Sequence, residues 1–277
     1  MSGAFSADWL ALREPADHAA RDPGLVASLC EALGDRPVSI VDLGCGTGSN
    51  LRALAPHLPE GQSWRLIDHD PALLARARET LANWAEDAEE RDGSLMLRRD
   101  GRRIAVSFRA HDLATDLDAA LGSAPDLVTA AALFDLLSPA AIERVAEAVT
   151  ARGAAFYTAL TYDGREKWYP PHPADGAILA AFLADLGRDK GFGPSAGHRA
   201  NQVLEAAFAE RGYRVRIATS PWRLGEADAA LRTALAEGIA GAVSGPMPAP
   251  DVASWLTLRR QRGTATIGHQ DLLALPG

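Results

Sequence analysis

The stretch Val41-Asp42-Leu43-Gly44-Cys45-Gly46-Thr47-Gly48 ends an apolar run with three glycines at alternate positions. The run itself, 38–43, is short and continuous, as expected of a strand buried on both faces of a parallel sheet. Glycine permits positive φ and lets a ligand approach bare backbone. A helical stretch follows from Asn50 to about Leu58. Its first N–H groups point at such a ligand and favour a carboxylate or another negative group. In open sheets of this kind ligands sit beyond the carboxyl ends of the strands.

Outward from this turn, strand and helix patterns alternate. The first thirty-odd residues read as helical, punctuated by Pro15 and Pro23, with Leu25, Leu29 and Leu33 on one face. Further strands are predicted at 64–68, 106–112, 127–130, 154–160, 213–218 and 264–275. Pro71 opens a helix to about Asp87. Asp100-Gly101 joins two short arms, 95–99 and 102–106, as a hairpin whose second arm continues into the third core strand. Helices are predicted at 139–150, 174–187, 199–211, 226–240 and 251–261. The alternation predicts a three-layer α/β fold with a seven-stranded, mostly parallel sheet and helical additions. A single domain is expected, in four parts: an N-terminal helical cap (1–33), a cofactor-binding core (34–160), a helical substrate or lid insertion (161–211), and C-terminal strands with a helical insertion (212–277).

Spacing discriminates between nucleotide cofactors. A dinucleotide site wants G-x-G-x-x-G, but Ser49 holds the third position and the third glycine stands at 48. This disfavours a nucleotide-dependent oxidoreductase. Asp68 ends the second strand, where a carboxylate accepts from both ribose hydroxyls of a nucleoside. Asp112 ends the third and suits the exocyclic amine of an adenine. Asp42 reads either as a structural carboxylate holding the turn or as a cofactor contact, and Asn50 either as a helix cap or as a cofactor contact.

Four segments, in this order and spacing, resemble the class I S-adenosylmethionine-dependent methyltransferases: 41–48, Leu66-Ile67-Asp68-His69-Asp70-Pro71, His111-Asp112-Leu113, and Phe134-Asp135-Leu136-Leu137-Ser138-Pro139. The resemblance covers about residues 36–160 and implies a Rossmann-like fold. It implies S-adenosylmethionine as cofactor, with S-adenosylhomocysteine as its product and no metal. Gly44, Cys45 and Gly46 would hold the methionine part, Asp68 with His69 the ribose, and Asp112 with the backbone of Leu113 the adenine. N-terminal helices often cover the cofactor in this family, so Arg13 would reach the methionine carboxylate. The chain departs from the minimal pattern in the 94–104 hairpin, the 161–211 segment and a helical stretch between the sixth and seventh strands.

Outside the cofactor turn, Asp135 interrupts an apolar run, 130–137, which is unusual for a carboxylate without a partner. It reads as a base or amine binder, or as a cap or buried ion pair. Tyr162 and Arg165 follow the fifth strand at the ligand end, with Trp168, Tyr169 and His172 nearby, as a substrate pocket or a rigid loop. Arg188 and Lys190 flank a glycine-rich loop suited to a carboxylate or phosphate, either as a lid or as a solvated connection. Arg13, Asp17 and Arg21 share a helix face, with Asp17 a candidate substrate contact or part of a surface charge ladder. Arg98, Arg99, Arg102 and Arg103 are expected as an exposed solubilising hairpin tip. Gly193-Pro194-Ser195-Ala196-Gly197 matches a hydrolase pattern by letter only, since it lies between helices.

Composition narrows the partners. The net charge of −8, from 36 acidic and 28 basic residues, argues against broad attraction to nucleic acid or anionic membrane. No stretch approaches the roughly 18 apolar residues of a membrane span, and no signal peptide is expected at 1–8. Two cysteines, Cys30 and Cys45, fit a reducing cytoplasm. The seven histidines lack metal-ligand spacing, so no metal is expected. The expected activity is methylation of a small molecule at O, N, S or C. The alternatives are a macromolecule methyltransferase and a catalytically idle cofactor-binding subunit. Nothing in the sequence speaks to oligomeric state.

Overall fold

The computed structural model describes residues 6–189 and 191–277. In chain order the elements are α1 (Ala7–Ala20), α2 (Pro23–Leu33), β1 (Val38–Leu43), α3 (Ser49–Leu54), β2 (Gly61–Asp68), α4 (Pro71–Trp84), β3 (Asp87–Arg91), β4 (Ser94–Arg99) and β5 (Arg102–Ala110). There follow α5 (Leu117–Leu121), β6 (Leu127–Ala131), α6 (Pro139–Thr150), β7 (Ala155–Tyr169), α7 (Asp175–Leu186), α8 (Ala200–Glu210), β8 (Arg214–Thr219), β9 (Trp222–Leu224), α9 (Ala229–Val243), α10 (Ala249–Arg259) and β10 (Thr264–Leu275). Short polar side chains start several helices: Asp22 Oδ1 accepts from Leu25 N (2.8 Å), Asp70 from Ala72 N (2.8 Å) and Ser138 Oγ from Ala141 N (3.2 Å).

The sheet runs β3-β4-β5-β2-β1-β6-β7-β10-β8, with β9 also on β10. Its centre, β5-β2-β1-β6-β7, is parallel. Both flanks are antiparallel. The described sheet has ten strands, not the seven expected; β3, β4 and β9 are the excess. Register aligns Asp42 of β1 with Thr129 of β6 and Tyr157 of β7. Apolar cores lie on both faces. One contains Leu25, Leu29 and Leu33 of α2, which are buried as their spacing predicts. The other stacks Phe156 against Phe208 at 4.6 Å, with Phe134 edge-on at 5.4 Å.

Two local departures matter for the site. Strand β7 continues past the expected end at Leu160 to Tyr169, so the insertion begins as strand rather than helix. Ile267 of β10 pairs with Glu166, but His269 pairs with Tyr162. Asp163-Gly164-Arg165 therefore bulges opposite the single residue Gly268. A Cβ on Gly268 would fall 2.0 Å from Asp163 Oδ1, so only glycine admits that carboxylate against the backbone. At the other flank α4 stops at Trp84, short of the predicted Asp87, and the charged segment Asp87–Arg91 pairs with β4 as an exposed edge.

Candidate cofactor and acceptor site

The glycine turn follows β1. Gly44, Gly46 and Gly48 have φ of +64°, +53° and +78°, conformations that admit glycine readily and other residues at a cost. Cys45 N donates to Ile67 O (2.9 Å) and Gly46 N to Asp68 Oδ2 (2.9 Å), fastening the turn to the end of β2. The other Asp68 oxygen accepts from Asp70 N (3.0 Å) and lies 3.4 Å from His69 Nδ1. An ionised carboxylate has about four acceptor sites, so these bonds leave capacity for hydroxyl donors. His111 N donates to Asp68 O (3.1 Å), which sets Asp112 and Leu113 beside that lip. Asp112 is exposed and accepts from Ala114 N (2.8 Å); Leu113 is buried. Cys45 is a buried filler whose thiol is pushed well up by burial.

Behind the turn, Asn50 is no cap: Gly48 occupies the cap position of α3. Its Nδ2 donates instead to Asp42 Oδ1 (2.7 Å) and Thr129 Oγ1 (3.2 Å), joining α3 to two strands. Asp42 Oδ2 and Asn50 Oδ1 are buried without partners among the described residues. Burial pushes the Asp42 carboxyl up to about 7, opposed by the Asn50 hydrogen bond.

Helix α1 lies over the turn. A Cβ on Gly46 would come 2.9 Å from Leu10 Cδ1. Arg52 donates to Glu14 through Nε (2.8 Å) and Nη2, and to Thr47 O through Nη1 (2.8 Å). His18 Nε2 lies 3.1 Å from Ser49 O and 3.0 Å from Ser49 Oγ. Arg13 forms a fork on Asp17 (2.8 and 3.2 Å) and lies over the Trp222 ring at 5.2 Å. Trp222 Nε1 donates to Asp17 Oδ1 (3.0 Å). Asp17 is buried, so the residue is an interior anchor of α1 rather than part of a surface ladder.

The candidate catalytic residues Asp135 and Tyr162 lie where the segment after β6 meets the β7–β10 seam. Ala132 takes φ +51°, uncommon for a residue other than glycine, and Leu133 packs within 3.1 Å of where a Gly44 Cβ would stand. Asp135 follows in a 3-10 turn, Phe134–Leu136. The residue is half-buried, but its Oδ1 is closed to solvent and unpartnered among the described residues. Burial pushes this carboxyl up to about 6, opposed by its own backbone and by Arg13. Tyr162 donates to Glu166 Oε1 (2.8 Å), and its ring meets those of Phe182 (6.1 Å) and His269 (6.0 Å) edge-on. Burial, then Glu166, hold its phenol far above the ordinary range, so it stays neutral.

Sequence reasoning missed His269 and Trp222. Their rings lie 5.0 Å apart, His269 is 6% exposed, and its Nδ1 has no partner among the described residues. Burial, with Arg13 adding to it, pushes this imidazole down to about 3. No local motif marks either residue; only the bulge at Gly268 and the seating of α1 bring them in.

Two of the expected substrate contacts are exposed and paired with aspartates. Arg165 is 67% exposed and closes on Asp163; Arg188 is 67% exposed and pairs with Asp185 (3.1 Å). Lys190 lies outside the described residues. At the hairpin, Arg99 folds back over Trp84 (4.8 Å) and Arg102 Nε donates to Leu58 O (3.1 Å), so only part of that tip is free in solvent. Ser195 is buried with its hydroxyl on Leu186 O, as befits a loop residue and not a nucleophile. Among the described residues no group of three or more His, Cys, Asp or Glu is placed to hold a metal ion.

No protein-family model matches the chain, and no curated relative matches it by sequence. Solved structures do match. A cyclopropane-fatty-acyl-phospholipid synthase-like protein from Lactobacillus casei, 15% identical, aligns over 99% of this chain and 94% of its own, at a TM-score of 0.54. Magnesium protoporphyrin IX methyltransferase from Synechocystis, crystallised with S-adenosylhomocysteine, is 12% identical and aligns over 99% of this chain and 89% of its own, at a TM-score of 0.50. The chain thus has the Rossmann-like fold of S-adenosylmethionine-dependent methyltransferases, widened by an edge hairpin and a short extra strand.

Proposed function

We propose that this protein is an S-adenosylmethionine-dependent methyltransferase acting on a small-molecule acceptor. The observation that carries the reading is the glycine turn fastened to Asp68, with unpartnered Asp42 and Asn50 oxygens directly behind it. The turn offers backbone, the β2 end offers a carboxylate to a ribose, and the atoms behind suit a polar tail. Gly44, Cys45, Gly46, Asp42 and Asn50 would hold the amino-acid part, Asp68 and His69 the ribose, Asp112 and Leu113 the adenine. When bound, the cofactor supplies a methyl group activated by a sulfonium.

The chain's own residues then align an acceptor and exclude water. Helix α1, latched by Glu14–Arg52 and by Trp222–Asp17, roofs the turn. Asp135, with a carboxyl near 6, is largely ionised at neutral pH, yet a good enough base to orient or take a proton from an acceptor N–H or O–H. Tyr162, kept neutral, forms a wall with Trp222 and His269 and engages the acceptor through its ring rather than as a phenolate. The acidic charge and the burial of this aromatic cluster favour a small acceptor over nucleic acid. Among the described residues no helix is long and apolar enough to cross a membrane.

Calorimetry tests the cofactor half: S-adenosylhomocysteine should bind in the micromolar range, about −8 kcal/mol. Tight binding of NADH with no response to S-adenosylhomocysteine would overturn the assignment. A metabolite extract incubated with the chain and methyl-labelled cofactor, read by mass spectrometry, tests the transfer and identifies the acceptor.

A further inference from the structure

Resting on the cofactor reading above, we propose that Arg21 and Asp42 together recognise the cofactor's amino-acid end, Arg21 its carboxylate and Asp42 its ammonium. This moves to Arg21 a role the sequence offered to Arg13, whose guanidinium is forked onto Asp17.

Arg21 caps the C-terminus of α1, one turn beyond His18, which contacts Ser49 at the start of α3. Its Nε and Nη1 are buried and have no hydrogen-bond partner among the described residues. Asp42 carries the opposite vacancy, a buried Oδ2 without a donor. The two share a neighbourhood: Asp42, Thr129 and Tyr157 form one row across β1, β6 and β7, the Arg21 charge acts on Asp42 and Tyr157, and the Tyr157 hydroxyl lies within hydrogen-bonding reach of the Arg21 side chain, leaving Nε and Nη1 unpaired. No ion pair joins Arg21 to Asp42 or to any other acid among the described residues, so neither vacancy is closed by the other.

Nearby acids are committed elsewhere. Asp271 accepts from Tyr157 OH (3.1 Å), Leu160 N (2.9 Å) and Asp22 N (3.0 Å). Burial holds His18 toward its neutral form, so it adds no second cation. A buried guanidinium with unmade hydrogen bonds is more costly than a neutral donor left unpaired. A buried carboxylate oxygen poses the mirror problem. A zwitterion satisfies both at once, and the α-amino-acid end of the cofactor is a zwitterion.

The test compares three probes by calorimetry: S-adenosylhomocysteine, 5′-methylthioadenosine, which lacks the amino-acid end, and decarboxylated S-adenosylmethionine, which lacks only the carboxylate. The Arg21→Gln variant should bind S-adenosylhomocysteine at least about tenfold more weakly and 5′-methylthioadenosine within about twofold of wild type. The wild-type chain should bind decarboxylated S-adenosylmethionine at least about tenfold more weakly than S-adenosylmethionine, a comparison that needs no variant to fold. Equal affinity for those two, or unchanged S-adenosylhomocysteine binding in Arg21→Gln, overturns the proposal. So does parallel loss of all adenosyl ligands in a folded Arg21→Gln, which would make Arg21 an anchor of α1 only. A wild-type chain that binds no adenosyl ligand overturns the cofactor reading itself.

Discussion

At the lip between β1 and β2, the turn's own polar groups are engaged, and the unpaired oxygens of Asp42 and Asn50 lie behind it. Asp68 holds Gly46 N and Asp70 N, and Cys45 N holds Ile67 O. Around the β7–β10 seam, Asp135 Oδ1 and His269 Nδ1 are buried and have no partner among the described residues. The lip is fastened by its own hydrogen bonds, so under the proposed function its residues would serve folding and binding together. The seam keeps titratable groups out of water at an energetic cost, which the fold tolerates and an acceptor would relieve. Substitutions at the lip should therefore lower stability and affinity in step, while substitutions at the seam should separate activity from stability.

The largest effect is expected at Asp135. Asp135→Asn keeps shape and removes the charge; turnover should fall by about 100-fold or more while S-adenosylhomocysteine affinity stays at wild type. Assaying both on one preparation decides it, and retained turnover would make Asp135 a structural group and leave the seam without its base.

The same variant carries a pH signature. The folded carboxyl near 6 stands above the unfolded value of about 4. Its contribution to stability is complete below about pH 4 and is lost as pH rises through 6. The ligand-free Asn variant should therefore be the more stable protein at pH 8, by on the order of 2–3 kcal/mol, with the gap closing below pH 4. Denaturant unfolding across that range checks the sign; a variant less stable than wild type at pH 8 would mean the carboxylate has a partner.

At the lip, Asp68→Ala should weaken S-adenosylhomocysteine by about 2 kcal/mol and also lower Tm by several degrees, because the side chain fastens Gly46 as well as offering itself to a ribose. Loss of affinity with no loss of Tm would show that the turn holds its shape unaided. Trp222→Phe keeps an aromatic ring but removes the donor to Asp17 and leaves the pyrrole's volume empty, so about 1–3 kcal/mol of stability is expected to go, measured by denaturant.

How much of this the sequence shows depends on distance along the chain. The glycine turn, Asp68 and the parallel strands are local patterns, each decided within a dozen residues. The seam is not. Strand β7 beyond Leu160 reads as a loop because Asp163-Gly164-Arg165 and the charges after it disfavour a strand, and pairing with β10 overrides that preference. Strand β3, Asp-Ala-Glu-Glu-Arg, has almost no strand propensity and exists only because β4 offers it an edge. Trp222 and His269 lie more than 170 residues from the turn, and nothing near them announces their role. Asp135 was legible as an oddity in an apolar run; its partnerless oxygen was not.

The smallest effect is expected at the rim, where the sequence placed substrate contacts. Arg165 and Arg188 are each 67% exposed; Arg188 pairs with a partly exposed Asp185, and Arg165 with Asp163, whose carboxylate is buried. A pair open to solvent, as at Arg188, contributes about 0–1 kcal/mol. Removing Arg165 leaves Asp163 Oδ1 bonded to the backbone N of residue 165 (3.0 Å) but takes from the buried Oδ2 its donors Arg165 Nε and Nη2, so stability is lost there. Arg188→Ala should therefore leave Tm within about a degree and Arg165→Ala should lower it by a few degrees, with turnover within about twofold in both. A loss of turnover beyond about tenfold in either, with stability as expected, would mean that the rim closes onto the acceptor during the reaction, adding about 1.4 kcal/mol or more of transition-state contact. The seam would then supply only part of the acceptor's surroundings, and the division between a fastened lip and a partnerless seam would have to include a third, moving wall.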